Sequence, residues 1–315
     1  MKSIGGYPEL ELRPGEHYHS KALRLNTARN AFEYILRSRG YTLVYIPYYT
    51  CEAVIEPLQK LGIPWKFYHI DDRFELAEQI DPGKSEALLY TNYFGIKEEY
   101  CRKLALKYGQ SLILDYSQAF FDMPVEGIDT FYSPRKFLGV SDGAYLYTTG
   151  TALAVEEKDQ SYSRMIYLLK RIDESPESGY ADFQDSEKGI CHQPIRYMSV
   201  ITDRLLRSID YDYIRKVRRD NFMMLEQRLA SSNELSLRLS PESVPLAYPY
   251  LTYDTSLRAK MLKERIYIPT YWPNVGQWAG ANSYEALLAS TLLPLPVGQT
   301  YDASDINRII NLIAN

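Results

Sequence analysis

The chain is poor in the residues that would tie it to metals, disulfides or membranes. Of 315 residues only three are cysteine (Cys51, Cys101 and Cys191) and only four are histidine. Three distant cysteines make no disulfide framework and read as the reduced thiols of a cytoplasmic chain. His17 and His19 flank Tyr18 with no cysteine or aspartate cluster beside them, so no metal is expected there. No apolar run approaches the roughly 20 residues of a membrane helix. Residues 1–12 lack the apolar core of a secretion signal. Charge of one sign is also scarce: 36 Lys plus Arg against 40 Asp plus Glu leave a net charge of −4. Such a chain has no global field to gather nucleic acid, and small molecules are the expected partners.

What is abundant is core-forming material. Hydrophobic residues make up 45% and charged residues 24%, and there are 29 tyrosines. That balance buries a core and excludes disorder. The tyrosines suit aromatic-lined clefts or interfaces without naming a chemistry. The length suits two domains: a large one over 1–209, including an N-terminal arm with Gly5, Gly6 and Tyr7, and a small one over 210–315.

Short apolar runs alternate with helical spacing through the first half. Strands are expected at 43–46, 65–70, 87–90, 111–114, 130–132 and 144–148. Helices are expected at 28–39, 51–61 (ended by Gly62) and 97–108 (ended by Gly109). Alternation of this kind gives an α/β fold with a mostly parallel sheet. Ligands bind such sheets beyond the carboxyl ends of the strands, which points to Tyr48, Asn92, Asp115 and the turn from Ser133 to Lys136. Beyond residue 160 the pattern turns helical and charged. Residues 175–189 read as a polar loop. Helices are expected at 197–209, 213–229, 256–264 and 302–313, with extended chain at 241–253 and a short strand at 267–269. Together the last of these make a smaller C-terminal α+β lobe. The aromatic cluster at 267–273, with Tyr271 and Trp272, either contacts substrate or packs as core or interface, and packing is the first reading.

Three short elements converge chemically. Thr27, Ala28 and Arg29 open a helix, whose free N–H groups and dipole suit a phosphate, with Thr27 also able to cap the helix. Asp115 ends the apolar run Leu112-Ile113-Leu114, where a carboxylate needs a cationic or donating partner. A protonated ring nitrogen would serve, and so would a turn cap. Lys136 follows Ser133 by three residues. A lysine in a partly dry pocket beside a cation such as Arg135 can attack a carbonyl, whereas an ordinary lysine stays solvated.

The stretch from about residue 25 to 148 resembles the large domain of fold-type I pyridoxal phosphate enzymes, and most nearly the DegT-type nucleotide-sugar aminotransferases. The segment Ala28-Arg29-Asn30-Ala31-Phe32 stands where that family has its phosphate loop. Pro47-Tyr48-Tyr49-Thr50 is similar to its P-x-x-T. Asp115-Tyr116-Ser117-Gln118-Ala119 resembles D-x-A-[HQ]-A. Tyr132 to Lys136, followed by Ser141-Asp142-Gly143-Ala144, resembles F-H-x-x-K and G-E-G-G. Arg196-Tyr197-Met198-Ser199 loosely matches its R-M-S helix start, and Leu293-Pro294-Leu295-Pro296 echoes its ending.

The resemblance implies a pyridoxal phosphate cofactor and a homodimer. It implies that Lys136 forms the Schiff base and shuttles the proton, that Asp115 pairs with the pyridine nitrogen, and that Gln118 lies near the phenolic oxygen. Thr27, Ala28, Arg29 and Ser133 would hold the phosphate. An amino acid would be the donor and a keto sugar the acceptor. Segment 175–193, with Arg196 beyond it, is where a residue donated across the dimer is expected. Cys51 replaces the usual ring-stacking aromatic, leaving Tyr48, Tyr49 or Tyr93 to stand in. Phe131 replaces a serine, and Arg29 a threonine. Because of these departures, a catalytically silent binding protein on the same fold and another pyridoxal phosphate reaction, elimination or decarboxylation, stay open.

Overall fold

A computed structural model describes residues 4–236 and 238–314. The first three residues of the expected large domain and of the 1–12 stretch lie outside the described residues, as do Leu237 and Asn315 of the expected small one. The chain begins its sheet with β1 (Leu23–Leu25) and enters α1 (Ala28–Arg39). Thr27 caps that helix, its Oγ1 accepting the Asn30 N–H at 3.1 Å, and Gly40 ends it in the left-handed region at φ 65°. Next come β2 (Leu43–Pro47), α2 (Ile55–Leu61), β3 (Trp65–Tyr68), β4 (Glu86–Thr91) and α3 (Glu98–Tyr108). The large sheet is completed by β5 (Leu112–Tyr116), β6 (Asp129–Tyr132) and β7 (Ala144–Tyr147).

The seven strands lie in the order β1-β7-β6-β5-β4-β2-β3. Strands β2 to β6 are mutually parallel, and β7 runs antiparallel to both of its neighbours. Four of the six residues of β4 and four of the five of β5 are apolar or tyrosine side chains, Ala87 to Tyr90 and Leu112 to Leu114 with Tyr116, all fully buried. That is the signature of strands covered on both faces. Residues of α1 and α2, including Phe32, Ile35 and Leu58, pack on Leu89 and Ile113 from one side. On the other side Leu88 and Leu114 share a second cluster with Leu104 of α3 and with the C-terminal part of the chain.

The remaining elements are α4 (Ile166–Asp173), α5 (Tyr180–Gly189), α6 (Val200–Arg207), α7 (Tyr211–Leu229), β8 (Ala247–Leu251), α8 (Leu257–Lys263), α9 (Val275–Ala279), α10 (Tyr284–Thr291), β9 (Leu292–Pro296) and α11 (Ala303–Ala314). Strands β8 and β9 form an antiparallel pair, which α7 touches along with α11. The link between α6 and α7 is residues 208–210, where the sequence divides the two expected domains.

Four expectations fail. The helix expected over 51–61 is α-helical only from Ile55, after a tighter turn over Glu52–Val54. Residues 180–189 are helical, not loop. Tyr180 and Phe183 stack at 6.3 Å, Phe183 meets Tyr167 of α4 at 5.5 Å, and Lys170 reaches Asp182 at 2.7 Å. These contacts override a weakly helical composition. No strand forms at 267–269; the partner of β8 is β9, whose Pro294 and Pro296 disguised it. The helix expected from Tyr197 starts three residues later, because Tyr197 bridges to Leu25 and Lys158 and Ser199 takes the cap.

Candidate active site

The parallel strands aim their carboxyl ends at one cleft, which those ends and the start of α1 build together. Thr91, Asp115 and Phe131 sit side by side in register on β4, β5 and β6, and all three line it. Beyond β2 come Thr50 and Cys51, beyond β5 Ser117 and Gln118, and beyond β6 Ser133, Arg135 and Lys136. Thr27, Ala28 and Arg29 line the opposite wall. All seven residues singled out from sequence (Thr27, Ala28, Arg29, Asp115, Gln118, Ser133 and Lys136) therefore meet around one space.

Their local setting is specific. Ser133 is extended, as a residue before proline must be, and Pro134 opens a short turn whose carbonyl accepts the N–H groups of Phe137 and Leu138 at 3.0 and 2.9 Å. The turn leaves the Lys136 side chain exposed at the cleft. Asp115 is buried, and its Oδ1 accepts the Ser117 N–H at 2.8 Å. Burial pushes its carboxyl up, opposed by the bonds from Ser117 and by the charge of Lys136. Arg29 lies 3.3 Å from Glu56. Its Nε is nonetheless buried without a hydrogen bond, as are Arg135 Nε and Thr91 Oγ1 on the same walls. The Thr27 hydroxyl is committed to capping, donating to Asn30 Oδ1 at 2.6 Å while it accepts the Asn30 N–H. Gln118 Oε1 accepts the Phe94 N–H at 2.7 Å, so its carbonyl is engaged with backbone.

Other candidates lie elsewhere. Tyr48 stacks on Phe67 at 4.6 Å, and Tyr93 donates to the Tyr49 carbonyl at 2.9 Å within the core. None of these three tyrosines lines the cleft, and its wall carries Cys51, Tyr271 and Trp272 instead. The aromatic cluster read as packing thus contributes to the site, although Trp272 also packs edge-on against Tyr49 at 5.0 Å. Asn92 serves the fold: it donates to Asp122 at 2.7 Å and accepts the Lys97 N–H at 2.9 Å. His17 lies between Tyr145 and Asp203, and His19 donates to the Phe120 carbonyl at 2.6 Å. Sequence reasoning missed Thr91, Glu187 and Ile190, which also line the cleft. Thr91 had a signal, as the end of a buried strand; Glu187 had none.

No family model matches the sequence, and no curated protein matches it. The fold matches solved structures over nearly the whole chain. DesV of S. venezuelae, described in complex with a ketimine intermediate, superposes with a TM-score of 0.61 at 16% identity, covering 93% of this chain and 83% of that one. A DegT DnrJ EryC1 StrS aminotransferase from Brucella abortus gives 0.63 at 16% identity, over 93% and 85%. The sugar aminotransferase CalS13 from Micromonospora echinospora gives 0.62 at 13% identity, over 93% and 87%. At such identities the likeness is one of fold: this chain has the architecture of these aminotransferases.

Proposed function

We propose that the chain is a pyridoxal phosphate-dependent aminotransferase that moves an amino group from an amino acid to a keto sugar, carried on a nucleotide. The observation that supports it most is the pair Asp115, near the end of β5, and Lys136, in the turn just beyond the neighbouring parallel strand β6, facing one cleft opened by the start of α1. The residues fit the cofactor. The buried Asp115 carboxyl suits a protonated ring nitrogen, Thr91 Oγ1 is buried without a hydrogen bond, Arg29 Nε meets only the Glu56 carboxylate at 3.3 Å, and the first N–H groups of α1 have no intrahelical acceptor.

In this reading Ala28, Arg29 and Ser133 would hold the phosphate at the helix start that Thr27 caps, and Asp115 would hold the ring nitrogen. Gln118 borders the ring through its amide nitrogen, since its oxygen is engaged by Phe94. Lys136 Nζ would make the covalent link and, once the donor's amine has displaced it, would carry the proton from the substrate carbon to the C4′ carbon of the cofactor. When bound, pyridoxal phosphate supplies the electron sink for the pair left on that carbon. Tyr271 and Trp272 close the wall where Cys51 offers no ring.

The same reading makes 1–209 the cofactor domain and 210–315 the small domain, in a cytoplasmic homodimer. Three free cysteines support a reduced compartment, and among the described residues no helix is long and apolar enough to cross a membrane. Borohydride reduction after adding pyridoxal phosphate tests the proposal: the label should map to Lys136, and Lys136→Ala should lose it together with amino transfer. A colourless, unlabelled protein would leave the binding-protein reading in its place. Light scattering that gives a monomer would remove the homodimer.

A further inference from the structure

Arg135 is the residue next to Lys136, and its charge is answered from a distant element. Glu187, on α5, turns its carboxylate into the cleft and pairs with the Arg135 guanidinium. The arginine side chain is 12% exposed and the glutamate 37%. The contact runs through a terminal nitrogen, while Arg135 Nε stays buried without a partner. Tyr167 of α4 also faces the guanidinium. The fork of an arginine accepts a planar carboxylate through two parallel bonds, and here it is only partly used.

We propose that Arg135 is the subsite for the α-carboxylate of the amino-acid donor, and that Glu187 occupies it as an internal carboxylate that the donor displaces. This rests on the aminotransferase reading. Two observations select the carboxylate over a nucleotide phosphate. The group already seated on Arg135 is itself a carboxylate. And Arg135 lines the same cleft as Lys136, where its buried, unpartnered Nε leaves open the second bond of a fork whose first bond already holds a carboxylate oxygen. Glu187 differs from a fixed structural partner in coming from the half-exposed end of α5, tied to α4 by Lys170–Asp182 and the Tyr167–Phe183 contact.

Calorimetric titration of the purified protein, with and without pyridoxal phosphate, tests this with L-glutamate, maleate and inorganic phosphate as probes. Glu187→Gln should tighten both carboxylates about tenfold, the scale of one lost competing charged bond. Arg135→Gln should abolish their binding, with Arg135→Lys intermediate, because charge without the fork recovers part. The double variant should match Arg135→Gln alone. Unchanged carboxylate affinity in Glu187→Gln overturns the proposal, as does tightening confined to phosphate. Borohydride labelling of the same samples separates the two readings. A labelled Lys136 with unmoved affinities overturns the subsite alone. An unlabelled protein whose carboxylate affinity still rises in Glu187→Gln overturns the cofactor and upholds the anion site.

Discussion

Arg218 of α7 donates to the carbonyl of Phe137 at 3.3 Å and lies over the Phe137 ring, 4.7 Å from its centre. Phe137 directly follows Lys136, so the small C-terminal part of the chain grips the turn that carries the lysine. The grip is shared: Gln299 donates to the same carbonyl at 2.9 Å and accepts from Arg218 at 2.9 Å, and Arg218 reaches the Leu246 carbonyl at 3.2 Å. Arg218 is 4% exposed, and burial lowers it to about 10.

Arg218→Met should therefore act on both fold and site. It strands buried carbonyls that the guanidinium now satisfies, at a cost of about 2 kcal/mol or more. Chemical denaturation should show that loss, and borohydride labelling of Lys136 should slow in the surviving folded protein. Wild-type stability with a wild-type labelling rate would show that Gln299 alone holds the turn.

Gln118 carries a second structural duty. Phe94 has φ 55°, and its N–H points at Gln118 Oε1. Gly95 follows with φ 70°, and a Cβ there would meet the Gln118 carbonyl at 2.8 Å and the Val244 carbonyl at 3.0 Å. The turn after β4 is thus locked against the turn after β5. Gln118→Ala should leave the Phe94 N–H buried and unpaired, costing about 1–3 kcal/mol, whatever it does to the reaction. A denaturation midpoint equal to wild type would show that water or a shifted carbonyl replaces it.

His19 gives the pH dependence. It is fully buried among Tyr18, Phe120, Tyr132 and Tyr145, and burial lowers it to about 4 from an ordinary 6.5. The unfolded chain binds this proton more tightly than the folded one, so stability falls as pH drops from 6.5 towards 4, by about 3 kcal/mol. His17, also lowered by burial, adds in the same direction. The buried Asp115 and Asp122 are raised and oppose it. The difference between wild type and His19→Gln, followed by urea unfolding from pH 7 to pH 4, isolates the His19 share. Parallel curves would show that His19 binds its proton equally well in the folded and unfolded chain.

The sheet and its cleft were legible because their signals are local. An unbroken apolar run such as Leu112-Ile113-Leu114 ending in Asp115 states a buried strand and the group at its tip. Thr27 marks the start of α1, and Gly62 the end of α2, by their own chemistry. The C-terminal part resisted because its order comes from distant partners. β9 carries two prolines and is a strand only because β8 lies beside it. Residues 180–189 are helical through contacts with α4, and Glu187 reaches the cleft only because that helix exists. Tyr271 and Trp272 stood out as a cluster, but which side they face is set by Tyr49 and Phe94, both far away in sequence.

Asp115 separates stability from reaction. Its carboxyl is raised by burial, so at neutral pH the fold bears a cost that grows as pH climbs from the ordinary carboxylate value towards the raised one. Asparagine keeps an oxygen for the Ser117 N–H at 2.8 Å and removes the buried charge. Asp115→Asn should therefore match or exceed wild-type stability, by up to about 1 kcal/mol. It should also lose amino transfer at least about 100-fold, because a neutral amide cannot hold a protonated ring nitrogen. Thermal unfolding without cofactor and single-turnover rates with it check the two halves. A destabilised variant would show that Asp115 is a structural carboxylate. A stable variant with a normal rate would show that the ring nitrogen is held by another group.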